Sequence, residues 1–381
     1  MVYEPETFTT EEMQPADIQT ILSEMHGRLP HFASEGERYW FTPFPSVIEY
    51  VEKKAQEKLR GPTLELYRSL KIHTKGILVR KEGRKGLVEQ GEIFNERNTT
   101  IIGYGDDVWG EITVADGPSM KLVVLVKPEV SDEEARKIIL MKGESGRRTF
   151  RNTVAVVCPP KDSNFDTILT YVARVKAAEE IMETLSEYYT DKEIRDLQQG
   201  KLKRYIQDNG NLLDHQLLAT ISRIAYPAKG KTADEIRWVT TTASSSLISQ
   251  VEAGLKDPST GPKLRTDFTL NDLTEFLKQN QNWDLTEGTE RREMREIVNV
   301  FYTVTSAPFT TCNAIEQAIK RGLDTLDIGI ETDGTLYWKR IGPENGADIP
   351  TTLKDTAEIF PYRHAAEALE KNSSKKAAKK G

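Results

Sequence analysis

Two continuous apolar runs in the middle of the chain constrain its fold more than any other feature. Residues 121–126 read KLVVLV, and residues 152–158 read NTVAVVC. Unbroken apolar runs of this length are typical of strands that are buried on both faces, as in parallel sheets. Between them SDEEARKIILM opens with Ser131 as a helix N-cap and acids in the first turn. This order predicts a mixed α/β fold with a small, mainly parallel sheet.

The residues after the second run have the periodicity of long helices. Apolar positions from Phe165 onward predict an amphipathic helix that reaches about Tyr189. The pattern stays helical from Asp191 to Tyr226, with a break near Asn209 and Gly210. We therefore expect a helical hairpin over about residues 165–227, within an α/β domain of residues 46–260. The Pro- and Gly-rich string KDPSTGPK marks the end of that domain.

The chain beyond this loop reads as three helices followed by a hairpin. Capping residues open the first and third helices, and Asp333 with Gly334 gives a strong hairpin turn signal. This pattern predicts a winged-helix-like domain over residues 261–345. The last part, residues 346–381, is expected to be a tail whose basic end, KNSSKKAAKKG, is disordered.

The N-terminal residues resemble only part of such a module. Residues 15–27 carry a helical apolar stripe, and two short β-prone runs flank Glu35 and Gly36. A helix followed by a hairpin is the second half of a winged helix. We therefore expect residues 1–45 to form a partial winged-helix-like segment, and the chain to begin inside a domain.

Composition excludes several classes of protein. The chain has 52 Lys and Arg against 59 Asp and Glu, a net charge of −7, so no global positive field favours nucleic acid. Two cysteines cannot form a disulfide framework or a four-cysteine zinc site. No apolar run has the length of a membrane span, and the acidic N-terminus is no secretory signal. We expect a cytoplasmic protein without a membrane partner.

The search for catalytic chemistry ends without a candidate. No GxxxxGK[ST] string occurs, and the glycine-containing string GESGRRT at residues 143–149 has the wrong spacing and no lysine. Cys158 has no activating histidine nearby in sequence, and the five histidines lack metal-ligand spacing. The acidic pair Asp106 and Asp107 is more typical of a solvated turn. We therefore predict no catalytic residue, no cofactor and no metal site in this chain.

Binding residues can be proposed at two places. The first is GRRTFRN, where Arg147, Arg148 and Arg151 precede a buried strand and could bind phosphate or the carboxylates of a partner subunit. Structural ion pairing is the competing interpretation for these arginines. The second place is the C-terminal module. Its candidates are Lys320 and Arg321 on the presumed recognition helix and Trp338, Lys339 and Arg340 in the wing. DNA contact and protein contact both stay open there, with protein slightly ahead.

Several strings, taken in order, resemble one family. They are ERYWFTPFPSVIEYVEKKA, KLVVLVKP, GRRTFRNTVAVVCPP and SRIAYP. They are similar to the C-terminal part of AAA+ type ATPases that contain the domain of unknown function four-nine-nine, over roughly residues 15 to 340. The resemblance implies an ATPase of archaeal and bacterial phage-defence gene clusters that also encode a DNA methyltransferase and a helicase. The P-loop half has no counterpart here, so the family's nucleotide-binding residues cannot be placed, and we expect a fragment or a split-gene subunit.

The leading functional hypothesis follows from that resemblance. It is a non-catalytic C-terminal segment or subunit of a prokaryotic AAA+ type ATPase, which couples the ATPase to DNA or to a partner protein. Its expected partners are a P-loop ATPase module and double-stranded DNA. The alternative is a stand-alone winged-helix regulator that binds DNA. A third reading, an independent enzyme with a site on the α/β sheet, lacks a recognisable set of catalytic residues.

Overall fold

A computed structural model gives the fold. It describes residues 18–22, 25, 32–35, 38–41, 45–82, 87–89, 91–107, 114–143, 146–231, 233–338, 348–365 and 367. The chain divides into two compact units, each made from two separate stretches. The first unit comprises Met1–Thr74 and Asn164–Leu217, and the second comprises Lys75–Ser163 and Leu218–Gly381.

The helices and strands are numbered here in chain order. The helices are α1 (Val47–Arg60), α2 (Leu64–Gly76), α3 (Asp132–Leu140), α4 (Asp166–Glu183), α5 (Leu185–Tyr188), α6 (Lys192–Thr220), α7 (Leu247–Lys256), α8 (Leu270–Gln281), α9 (Met294–Thr303) and α10 (Cys312–Asp324). The strands are β1 (Phe32–Glu35), β2 (Arg38–Phe41), β3 (Arg80–Glu82), β4 (Leu87–Glu89), β5 (Thr99–Gly103), β6 (Lys121–Val126), β7 (Val154–Cys158), β8 (Arg223–Lys229), β9 (Asp234–Thr240), β10 (Arg292–Glu293), β11 (Ile328–Thr332), β12 (Thr335–Tyr337) and β13 (Glu358–Pro361). None of the described helices combines the length and the apolar character that crossing a bilayer requires.

The first unit is mainly helical, and polar contacts connect its helices. Helix α1 begins where the Ser46 side chain accepts a hydrogen bond from the backbone N–H of Ile48. Glu52 of α1 accepts a hydrogen bond of 2.5 Å from the Tyr205 hydroxyl of α6. Lys58 of α1 pairs with Glu180 of α4 at 2.6 Å. These contacts match the polar groups of Glu52 and Lys58 with partners on α6 and α4.

The second unit is built on a five-stranded sheet in the order β5-β6-β7-β8-β9. Strands β5, β6 and β7 are parallel, whereas β8 and β9 join them in antiparallel fashion. Every residue of β7 is buried, and in β6 only Lys121 is not. Helix α3 packs on one face, where Ile138 and Ile139 join the core. The two apolar runs are thus adjacent parallel strands, which confirms the mixed α/β prediction.

The helical prediction over residues 165–227 is wrong at two points. Helix α6 runs without a break through Asn209 and Gly210, and it ends at Thr220. Residues of the string RIAYPAK form β8 instead of a helix. A short apolar run that is buried on both faces cannot be told from a buried helix by periodicity alone. The sheet accepts Pro227 because β7 pairs only as far as Ala225, so the proline has a strand on one side only.

The C-terminal part contains helices α8, α9 and α10 and a small antiparallel sheet in the order β10-β13-β11-β12, and residues 362–365 and 367 are helical as well. The hairpin of β11 and β12 turns at Asp333 and Gly334, whose φ values are 53° and 72°, as the turn signal predicts. Strand β13 enters between β10 and β11, although it comes from the part of the sequence assigned to the tail. Its four residues are too short a run to predict from sequence.

The structure describes only some of the N-terminal residues for which a partial winged-helix-like segment is predicted. Strands β1 and β2 form the expected hairpin, with Glu35 opposite Arg38. Residues 18–22 and 25 of the predicted helix are helical. The other residues of the partial winged-helix-like segment at 1–44, like the basic end at 371–381, lie outside the described residues.

Candidate anion-binding cleft

A cleft of about 240 Å³ in the second unit brings together charged side chains from three parts of the sequence. Two of them, Arg147 and Arg151, belong to the arginine string that the sequence singles out. Two further cations, Arg136 and Lys137, come from α3. The complete lining is Glu133, Arg136, Lys137, Leu140, Met141, Arg147, Arg151 and Asp234.

A tight return of the chain after α3 places Arg147 in this cleft. Met141 and Arg147 form an antiparallel bridge, and the backbone N–H of Lys142 donates to the carbonyl of Gly146 at 2.7 Å. Successive side chains of an extended segment point in opposite directions. Arg147 is therefore exposed on the cleft side, whereas Arg148 is buried and only 3% exposed.

The guanidinium of Arg148 donates its hydrogen bonds to backbone carbonyls. Its Nε and Nη2 donate to the carbonyl of Ile138 at 3.2 and 3.1 Å. Its Nη1 donates to the carbonyls of Val114 and Ala115 at 2.9 and 3.1 Å. Burial lowers the pKa of this guanidinium, and the nearby carboxylate of Asp116 opposes that shift. For Arg148 the structure therefore favours a structural role over the binding of a partner, because its guanidinium is buried.

Three of the last four carbonyls of α3 are hydrogen-bonded without the side chains of the helix's own cations. The carbonyl of Lys137 accepts from the N–H of Met141 at 2.9 Å, and that of Leu140 accepts from the N–H of Arg148 at 2.9 Å. The carbonyl of Ile138 accepts from the guanidinium of Arg148. Cations in a last turn often serve to neutralise such carbonyls. Here the side chains of Arg136 and Lys137 are exposed and make no ion pair with any described residue.

Arg151 is held in place by an acid of the same cleft. It forms an ion pair with Asp234 of β9, whose other oxygen accepts from the Thr305 hydroxyl at 2.8 Å. Because these two charges neutralise each other, the cleft retains three cations, Arg136, Lys137 and Arg147, against the single acid Glu133. The result is an excess of two positive charges on a surface whose backbone is fixed by Arg148.

Lys320, a candidate from the presumed recognition helix, is not a surface contact. It is buried and pairs with Glu316 one turn earlier at 2.5 Å. Its ammonium also donates to the carbonyls of Pro350 and Thr351 at 2.7 and 2.6 Å. Glu316 in turn accepts from the N–H of Leu353 at 2.9 Å. The pair therefore fastens residues 350–353 to α10, and the prediction of a binding role for Lys320 is not supported by its position.

The other C-terminal candidates do not form a shared surface among the described residues. Arg321 is exposed, but it bonds Asp267 at 2.7 Å and the carbonyl of Phe268 at 3.1 Å. Trp338 is half-buried. Lys339 and Arg340 lie outside the described residues. Helix α10 buries most of its surface and exposes only a narrow strip, made of Asn313, Arg321 and Asp324.

Chemistry other than binding finds little support in the described part of the chain. Burial raises the pKa of the Cys158 thiol to about 12, so this thiol is a poor nucleophile. No three His, Cys, Asp or Glu side chains among the described residues are grouped as a metal site would need. The cleft, with its fixed frame and its unpaired cations, is suited to hold an anion.

Three family models match the chain. The DUF499 second domain matches residues 1–41, the DUF499 third domain residues 50–239, and the DUF499 fourth domain residues 260–380. Every residue of the cleft lies within the third-domain match, and α8, α9 and α10 lie within the fourth. No curated protein and no solved structure gives a significant match. Since the three matches together cover most of the chain in the order second, third and fourth, the chain belongs to the DUF499 family.

Proposed function

We propose that this chain is a non-catalytic binding module that couples a P-loop ATPase to a partner protein, and that the partner docks in the basic cleft. The absence of a GxxxxGK[ST] string from the whole sequence supports a role without ATPase chemistry of its own. The sequence resemblance to AAA+ type ATPases supplies the setting, which is prokaryotic phage defence in the cytoplasm.

The observation that carries the proposal is the state of the cleft cations. Arg136, Lys137 and Arg147 line one cavity, and none of them forms an ion pair with a described residue of the chain. An arginine guanidinium binds a carboxylate or phosphate with two parallel hydrogen bonds. Clustered cations repel one another and so destabilise the folded chain, and an anionic partner that binds between them removes this repulsion.

The alternative, a stand-alone winged-helix regulator that reads DNA, has weaker support. A recognition helix needs a face of free side chains that can enter the major groove. In α10, Lys320 is buried and Arg321 is paired with Asp267. The strip that stays exposed also contains Asp324, which would repel phosphate. These contacts favour protein over DNA as the partner.

The test is an affinity purification of the tagged full chain from its native host, with identification of the bound proteins by mass spectrometry. We expect a P-loop ATPase and at least one further protein. The double variant Arg136→Glu with Arg147→Glu should lose the further protein. The matched control, Lys203→Glu with Arg204→Glu, reverses two exposed charges on α6 and should retain it.

Two results would contradict this proposal. If no P-loop ATPase accompanies the wild-type chain, the coupling role is wrong. If the further protein binds the cleft variant as well as the wild type, the cleft is not the docking site. In either case the purified chain alone should release no phosphate from ATP.

A further inference from the structure

We propose that the cleft is a receptor for a phosphate monoester dianion, presented on a phosphorylated side chain of the partner protein. This inference rests on the proposed function and specifies what the cleft recognises. Its basis is the charge of the cleft, its size and the way in which its cations are positioned.

The charge count favours a dianion over a carboxylate. Three cations, Arg136, Lys137 and Arg147, face Glu133, while Arg151 and Asp234 neutralise each other. The excess of two positive charges matches a phosphate monoester, which carries about −1.5 to −2 at pH 7. A single aspartate or glutamate of a partner would leave one cation without a counter-charge.

The size of the cleft favours a small group. Its volume of about 240 Å³ is below the range of about 300–1,000 Å³ that is usual for drug-sized ligands. Leu140 and Met141 give it an apolar wall beside the cations. A phosphoryl group on a short aliphatic stem fits this combination, because the oxygens meet the arginines and the stem meets the wall.

The backbone that carries the cations is fixed before a ligand arrives. Arg136 and Lys137 project from α3, and Arg147 lies on the extended segment that returns beside it. Arg148 ties that segment to α3 from the buried side. Arg148 is thus a positioning residue, and the ligand would not have to order the backbone of its site.

Nucleic acid is the less favoured source of the phosphate. Binding to nucleic acid draws most of its affinity from many phosphate contacts along a positive surface. This chain carries a net charge of −7, and the carboxylate of Glu133 lies in the cleft itself. A single phosphate on a protein can enter such a site, whereas a strand of phosphates would continue over a chain whose net charge is negative.

The experiment is isothermal calorimetry with the purified full chain and N-acetyl-phosphoserine amide. N-acetyl-serine amide, inorganic phosphate and a short 5′-phosphorylated oligonucleotide are the comparison ligands. We expect the phosphoserine compound and inorganic phosphate to bind, and the serine compound to show no heat. Affinity should fall between pH 7 and pH 5, because the phosphate loses its second charge near pH 6.

Variants connect this binding to the cleft. Arg136→Glu with Arg147→Glu should weaken phosphoserine binding at least tenfold, and Lys203→Glu with Arg204→Glu should leave it unchanged. Arg147→Ala alone is an exposed truncation that keeps the fold, and it should weaken binding several-fold if the double variant does not fold. Circular dichroism checks the fold of each variant.

Three outcomes overturn the inference: no binding of either phosphate compound, binding that the cleft variants do not change, or clear preference for the 5′-phosphorylated oligonucleotide. A phosphatase step separates this failure from that of the proposed function. If the partner still binds the wild-type cleft after phosphatase treatment of the lysate, docking stands and the phosphate inference falls. If no cleft-dependent partner exists with or without phosphatase, the proposed function itself is wrong.

Discussion

Arg147 and Arg148 are adjacent in the sequence, yet their side chains meet opposite environments. Arg148 donates to three buried or half-buried carbonyls, whereas Arg147 is exposed in the cleft. A buried acceptor that loses its donor costs about 1–3 kcal/mol. We therefore expect Arg148→Ala to lower the free energy of unfolding by more than about 2 kcal/mol, while Arg147→Ala changes it by no more than about 0.5 kcal/mol. Urea denaturation of both variants measures the difference, and equal losses would refute the assignment.

Lys263 is another buried cation, and its contacts described here all lie within the second unit. Its ammonium donates to Asn152 Oδ1 at 2.7 Å and to the carbonyls of Thr305 and Ala307 at 2.8 and 2.7 Å. The ring of Phe309 lies 4.9 Å from it. Burial lowers the pKa of Lys263 well below its ordinary value, and the charge of Arg237 adds to that effect.

The lowered pKa has a consequence for stability that can be measured. Between the folded pKa and the ordinary lysine value of about 10.4, the unfolded chain binds more protons than the folded one, so stability rises with pH. Lys263→Met removes this contribution and also takes the ammonium away from Asn152 Oδ1 and the carbonyl of Thr305, whereas the carbonyl of Ala307 still accepts from Asn152 Nδ2. We expect the variant to be less stable at pH 7 by about 2 kcal/mol, and the gap to the wild type to widen at pH 9.

Denaturant titrations at the two pH values test this expectation. The control is Lys256→Met, because Lys256 is 39% exposed and pairs with Glu92 at the surface. An exposed pair of this kind contributes about 0–1 kcal/mol. A gap between wild type and Lys263→Met that stays constant with pH would show that the ammonium titrates normally.

At the scale of the element, α10 owes its connection to residues 350–353 to the buried pair of Glu316 and Lys320. Removing one partner of a buried ion pair leaves an uncompensated charge and costs about 3–5 kcal/mol. We expect Lys320→Met and Glu316→Leu each to destabilise the chain, and the double variant to lose much less than the sum of the two. A double-mutant cycle by thermal or chemical unfolding measures this coupling, which should exceed about 1 kcal/mol. Additive losses would mean that the two side chains act independently.

The elements differ in how far the sequence predicts them. Strands β6 and β7 are continuous apolar runs on either side of a capped helix, and this context leaves one interpretation. Strand β8 has the same apolar character, but it follows directly on a long helix, so its residues read as the end of that helix. Strand β13 is too short to carry a pattern of its own. Local pattern thus identifies a strand only where the neighbouring elements limit the choice.

The candidate site was predicted in part for a similar reason. The arginine string points to Arg147 and Arg151, and both line the cleft. It also points to Arg148, whose burial follows from the alternation of an extended segment that the sequence does not reveal. Arg136 and Lys137 were missed because, in the sequence, they are ordinary cations near the end of a helix. The return of the chain from Met141 to Arg147 brings the two groups together, and no pattern in the sequence indicates it.

At the scale of the whole molecule, net charge limits binding to DNA. A chain with a net charge of −7 attracts a duplex only through local basic surfaces. Each neutralised phosphate contributes a slope of about −0.9 to the dependence of log affinity on log salt. We expect weak, nonspecific binding with a slope that corresponds to a few contacts, measured by fluorescence anisotropy over a salt series. Lys339→Glu with Arg340→Glu should abolish it if the C-terminal module is the contact. Tight binding with a steep slope would contradict the preference for a protein partner.

The two-part construction of each unit has a consequence for synthesis on the ribosome. Residues 164–217 separate β7 from β8, although these strands are neighbours in the sheet, with Cys158 opposite Arg223. Strands β5, β6 and β7 therefore leave the ribosome well before β8 and β9 exist, and β7 presents an open, wholly apolar edge during that interval. Such an edge is a template for pairing with other chains. The nascent protein is most exposed to aggregation while its helical insertion is being translated, and a chaperone that covers β7 would act then.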